Sequence, residues 1–190
     1  MKKLVIALGV SVLLGACAGS GMSNASNNSA ATPMVGGAPM YPTKDIVDNA
    51  VNSKDHTTLV AAVKAADLVA TLKSPGPFTV FAPTNASFAA LPAGTVDTLL
   101  KPENKATLTK VLTYHVVPGR MDSAALTSAI NAGGGKATLK TASGGTLTAT
   151  MSGGTVWVTD AKGGTAAVTI ANVYQSNGVI HVVNKVLLPG

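Results

Sequence analysis

Three histidines, one cysteine and eight carboxylates are all that this 190-residue chain offers for acid–base, nucleophilic or metal chemistry. His56, His115 and His181 are dispersed, and no thiol or carboxylate keeps ligand spacing with them, so no metal site is expected. His115 follows the end of a helical stretch and precedes a short apolar run, which suits a buried, hydrogen-bonded ring; a binding or pH-sensing ring is the alternative. His181 sits among valines, in phase with Val179 and Val183, and should be a half-buried polar group with its hydrogen bonds met. Nucleophilic catalysis has no support, because the Gly-x-Ser-x-Gly elbow is absent. The phosphate-cradling loops Gly-x-Gly-x-x-Gly and Gly-x-x-x-x-Gly-Lys-Ser/Thr are absent as well. Asp122, after Pro118-Gly119-Arg120, reads as a helix cap or turn residue. Neither an enzyme nor a cofactor is expected.

Charge narrows the partners. Only 12% of the residues are charged, and without Lys2 and Lys3 the formal charge falls from +6 to +4. The remaining Lys and Arg are scattered, with no cluster of the kind that grips phosphate backbones, so no nucleic-acid partner is expected. A lone cysteine excludes a disulfide within the chain.

That cysteine ends a three-part leader. Lys2 and Lys3 are followed by the apolar run Leu4 to Leu14 and then by small residues, a run too short to cross a bilayer core of about 30 Å. Residues 1–16 therefore read as a secretory signal. Leu14-Gly15-Ala16-Cys17 resembles the lipobox of bacterial lipoprotein precursors, which implies cleavage before Cys17 and a diacylglycerol on its thiol. An ordinary signal cut after Ala18 is the alternative. In the lipoprotein reading Ala18, rather than an aspartate, implies the outer membrane, on its periplasmic side or at the cell surface. Residues 17–42 are then the lipidated cysteine and a flexible linker of Gly, Ser, Asn, Ala, Met and Pro, long enough to hold a domain roughly 25–30 Å from the lipid.

From about residue 43 the pattern is that of packed structure. Thr57 or Thr58 can cap a helix reaching Leu72, with Leu59, Val63, Ala66 and Ala70 on one side, and Lys73-Ser74-Pro75-Gly76-Pro77 stops it. Phe78 to Ala82 suits a buried strand, and a second helix runs from about Glu103 to Tyr114. Past Ala132 the period becomes two. Thr- and Val-rich segments at Lys136–Thr141, Thr146–Met151, Thr155–Asp160, Ala166–Tyr174 and Val179–Leu188 alternate with Gly144-Gly145, Gly153-Gly154, Gly163-Gly164 and Asn177-Gly178. That rhythm predicts an antiparallel meander, and with helices first and strands second the class is α+β.

Three segments together resemble the fasciclin domain, an extracellular module. They are Phe78-Thr79-Val80-Phe81-Ala82-Pro83-Thr84-Asn85-Ala86-Ser87-Phe88, Leu112-Thr113-Tyr114-His115-Val116-Val117-Pro118-Gly119, and Asn177-Gly178-Val179-Ile180-His181-Val182-Val183-Asn184-Lys185-Val186-Leu187-Leu188-Pro189. The resemblance implies, over residues 43–190, a wedge of two antiparallel β-sheets with helices packed at one side. It also implies adhesion by protein or matrix contact and no catalysis. Asn85 and Asn184 stand where many members carry aspartate. The candidate binding or structural residues are Thr84, Asn85, Tyr114, His115 and His181, with Thr84 placed to cap a short helix and Phe88 to enter the core. The expected function is that of a lipid-anchored envelope protein that binds a protein or matrix partner, with a weak homodimer as a further association. The alternative is a carrier of a small apolar ligand, a lipid or carotenoid, in an apolar cleft; few aromatic residues are available to line one. A structural envelope protein without a specific partner is the third reading.

Overall fold

The computed structural model describes residues 32–190. The leader, Cys17 and most of the expected linker lie outside the described residues. Order begins before residue 43, however. Strands β1 (Met34–Val35) and β2 (Ala38–Pro39) form a hairpin over Gly36-Gly37, both at positive φ as such a tight turn requires. Val35, Ala38 and Met40 are buried in the main core. Asn49 anchors the segment, donating through Nδ2 to the Tyr41 carbonyl (2.8 Å) and accepting from the Tyr41 N–H (3.0 Å). The linker expected to reach residue 42 is corrected accordingly. Two-residue strands are too short to show a period, so composition alone read them as tether.

Helices follow. Asp45 caps α1 (Ile46–Ala50), accepting from the Asp48 N–H at 2.7 Å. The single helix expected from Thr57 to Leu72 is two, α2 (Thr57–Ala65) and α3 (Val69–Lys73), because Asp67 takes φ 59 between them. Neither Thr57 nor Thr58 caps it by its own side chain. Strand β3 (Phe78–Pro83) leads into α4 (Asn85–Ala89), then α5 (Thr95–Leu99) and α6 (Lys105–Tyr114). After β4 (Val116–Pro118), Asp122 caps α7 (Ser123–Ala132), accepting from the Ala125 N–H at 2.9 Å.

The meander is β5 (Lys136–Lys140), β6 (Thr146–Ser152), β7 (Thr155–Thr159), β8 (Thr165–Gln175) and β9 (Gly178–Val183). The α+β class is as expected, with the two sheets joined into one: seven strands in the order β4-β3-β9-β8-β7-β6-β5. Register shifts between Val168 and Val173, with Asn172 at φ 60, bend β8 so that it serves both halves. One pairing is parallel, with Phe78 opposite Gly178 and Pro83 opposite Val183. The sheet curls far enough for the Ala142 N–H, just past β5, to reach the Val116 carbonyl of β4 (2.7 Å).

Strand parity divides the interior in two. Val80 and Ala82 of β3 and Ile180 and Val182 of β9 face the helices, joining Leu59, Leu72 and Leu108. Phe81 and Val183 face into the curl, where Leu126, Leu139, Leu147, Val158 and Leu187 fill the space. Each such side chain, fully buried, contributes about 1.5–3 kcal/mol before entropy is charged. All six residues of β9 are buried, as suits a strand covered on both faces. Among the described residues, no helix is long and apolar enough to cross a membrane.

Candidate functional site

Thr84 closes β3 and caps α4: its Oγ1 accepts from the Ser87 N–H (3.3 Å), and Ser87 Oγ returns the favour to the Thr84 N–H (3.2 Å). Asn85 reaches sideways to the start of α2. Its Nδ2 donates to the Lys54 carbonyl (2.8 Å) and Thr57 Oγ1 (2.9 Å), while Oδ1 accepts from the Thr58 N–H (3.0 Å). That is the cap α2 lacks locally. An aspartate could accept there but could not donate, so the amide suits this site.

Tyr114, 1% exposed, ends α6 and spans the curl. Its hydroxyl donates to the Thr146 carbonyl (2.6 Å) and accepts from the Ala161 N–H (2.9 Å), while its ring packs so closely on Gly145 that a Cβ there would lie 2.7 Å from it. His115 ties the same helix end to the C-terminal segment. Nδ1 donates to the Val111 carbonyl (2.8 Å) and Nε2 accepts from the Leu187 N–H (2.9 Å), an arrangement that requires the neutral ring. Burial pushes its pKa down to about 4, against the opposing pull of the Val111 carbonyl and Asp160. Neither nitrogen is left for a ligand.

His181 departs from the half-buried, satisfied group expected. It is 0% exposed, stacks on Phe81 (centroids 5.7 Å apart), and donates through Nε2 to the Met121 carbonyl (2.8 Å), but Nδ1 has no partner. Burial lowers its pKa, opposed by the Met121 carbonyl and the charge of Asp122. His56 is buried too, with Nδ1 on Ser53 Oγ at 2.9 Å. The three rings do not converge, and no group of three His, Cys, Asp or Glu able to hold a metal occurs among the described residues.

Sequence reasoning missed two further polar anchors. Asp160, 8% exposed, gathers the β7–β8 turn and the C-terminal segment, accepting from the N–H groups of Lys162 (2.9 Å), Gly164 (2.7 Å) and Leu188 (3.0 Å). Asn177 joins the β8–β9 turn to α1 and α3, accepting from the Ile46 N–H (3.1 Å) and donating to the Leu72 carbonyl (2.7 Å). The Asp-x-x-Gly and Asn-Gly spacings announced turns, but their distant partners have no local signal.

Concavity occurs elsewhere. A cavity of about 90 Å³ lies between α1, α2, α3 and α6, floored by β3 and β4, and its wall presents only apolar atoms from residues such as Leu59, Val63, Leu72, Phe78 and Leu112. A smaller one of about 30 Å³ adjoins it through Ile46, Leu59 and Val80 and reaches His56.

The family description "Fasciclin domain" matches residues 54–189. The chain belongs to the fasciclin family. Among curated members, Protein sll1483 of Synechocystis is 53% identical over 146 residues, covering 76% of this chain and 73% of that protein. Immunogenic protein MPB70 of Mycobacterium bovis is 39% identical over 145 residues, covering 74% and 66%. The solved FAS1 domain pair from the insect cell adhesion molecule fasciclin I shares the fold, with a TM-score of 0.68 at 15% identity, over 76% of this chain and 51% of that one. The fasciclin blocks are thus the seams of this fold: the first pairs with the last along β3 and β9, and the middle block clamps α6 to the curl.

Proposed function

We propose that this fasciclin-domain chain is a cell-envelope binding module, anchored by lipid at Cys17, that mediates adhesion by contact with a protein or matrix partner. The observation that carries this reading is the inward use of the signature side chains. Thr84, Asn85, Tyr114 and His115 are all engaged within the fold, so the domain meets partners through its outer surfaces. The solved relative's description as a cell adhesion molecule supports the same reading. Protease shaving of intact cells tests it: peptides from residues 43–190 are expected in the supernatant while a periplasmic control stays intact, and Cys17→Ser should move the protein to the soluble fraction. Protection of those peptides until the outer layer is broken, or unaltered surface attachment in cells lacking the protein, counts against adhesion.

The apolar cavity favours a second reading, the carriage of a small apolar ligand. At about 90 Å³ it is smaller than the engineered cavity of about 150 Å³ that holds benzene, so it suits a hydrocarbon chain entering from outside better than a ring system held inside. Organic extraction of the purified protein, followed by mass spectrometry, decides it. A stoichiometric lipid supports carriage, and a clean extract with no uptake on titration removes it.

A further inference from the structure

The outer face of β5–β8 is built differently from the rest of the surface. Its inward residues fill the curl, so the alternate positions must face out. The registers align them in rows across the strands. One row is Thr138, Thr148, Thr159 and Thr165; the next is Lys136, Thr150 and Trp157, ending on Ala167, which is itself buried. Neighbouring strands lie about 4.8 Å apart, so the face offers a lattice of hydroxyls around one partly exposed indole.

Charge is also divided. Residues 44–122 carry eight basic and seven acidic side chains, whereas residues 123–190 carry four lysines against one aspartate. That aspartate, Asp160, is buried and held by backbone N–H groups. Every ion pair among the described residues joins partners in the first group. Lys136, Lys140, Lys162 and Lys185 are exposed, with no carboxylate on them.

We propose that this face binds an anionic polysaccharide, one rich in uronic acids. The chemistry matches part by part. The indole of Trp157 stacks on the C–H face of a pyranose, the threonine rows exchange hydrogen bonds with ring hydroxyls, and Lys136 and Lys140, four residues apart and so on one face of an edge strand, meet carboxylates spaced along the glycan. A protein partner would call for a broad apolar centre, whereas here a single partly exposed indole stands among threonines and lysines. The proposal rests on the reading of the domain as a binding module and names its partner class.

Trp157 is the only tryptophan, so its fluorescence reports on the face directly. The full-length protein is titrated with polygalacturonate and, in parallel, with dextran of equal length. A saturable change in emission is expected with the first only, with affinity falling about tenfold or more between roughly 50 and 500 mM NaCl. Lys136→Gln with Lys140→Gln should weaken binding about tenfold while leaving the melting temperature in place. No response to polygalacturonate, an equal response to dextran, or unchanged affinity in the double variant overturns the proposal. Equally tight binding to single-stranded DNA or to vesicles of anionic phospholipid also overturns it, because the face then reads charge alone. If polygalacturonate is ignored while cells lacking the protein still lose attachment, the partner class falls and the binding module stands; if attachment is unchanged as well, both fall.

Discussion

The helical and stranded halves solve burial differently. Around α1, α2, α3 and α6, short helices leave an open apolar cavity and balance their surface with ion pairs such as Lys73 to Asp48 at 2.5 Å. Inside the curl of β5–β9 the alternating positions interlock, with Leu126, Leu147, Val158 and Leu187 each 0% exposed, and the surface outside is hydroxylated and cationic. Here the short helices leave room between them, whereas the curled sheet is filled. The half with room is therefore the one that can enclose a ligand, and the half without it holds the shape and can bind only across its outer face.

Leucine truncation should expose the contrast most strongly. Leu147→Ala leaves a void that a curled sheet cannot collapse, and a loss of about 3–5 kcal/mol is expected in denaturant titration. A loss below about 1 kcal/mol would show that the curl relaxes after all.

Acid should act at the joint between the halves. The pKa of His115 is about 4 in the fold and near 6.5 in the unfolded chain, so between those values the unfolded chain holds the extra proton. Stability is complete above pH 6.5 and falls as pH drops toward 4, by about 3 kcal/mol for this ring. His56 and His181, both lowered chiefly by burial, act in the same direction. Unfolding free energies measured from pH 7.5 to 4 should follow this slope, and His115→Gln should flatten it whatever its effect at neutral pH.

The smallest effect separates the halves by sign. Val63→Leu adds a methylene beside the cavity and should be neutral or stabilising by up to about 1 kcal/mol, whereas Ala149→Val inside the curl should cost about 1–3 kcal/mol. Melting curves of the two variants make the comparison, and equal losses would erase the distinction.

Legibility followed the same division. The meander was readable because glycine pairs and period-two alternation are local signals, and the register they imply sends Leu147 in and Thr148 out. The helical half was readable only in part. Ser123–Ala132 has just Leu126 and Ile130 as fully buried anchors in an alanine-rich stretch, so its periodicity was faint and only Asp122 hinted at it. The break at Asp67 depends on a left-handed residue that propensity does not foresee. Thr84 was legible as a cap because its partner Ser87 is three residues away, whereas the amide of Asn85 serves a helix that starts 28 residues earlier. The orphaned Nδ1 of His181 and the cavity arise from packing between distant segments, which no window of sequence displays.

The parallel pairing of β3 with β9 also governs when the fold can form. Phe78 waits for Gly178, one hundred residues later, before β3 and β4 can join the rest of the sheet, and both cores have a wall missing until then. Long-range pairing of this kind makes for slow folding, because a large loop must close before any contact rewards it. A polypeptide still being synthesised can form its local hairpins, but it stays unlocked almost to its last strand, because β3 and β8 both find their shared partner only in β9. Shortening the protein before Val183 should therefore leave both cores permanently unclosed, read as the loss of a cooperative melting transition.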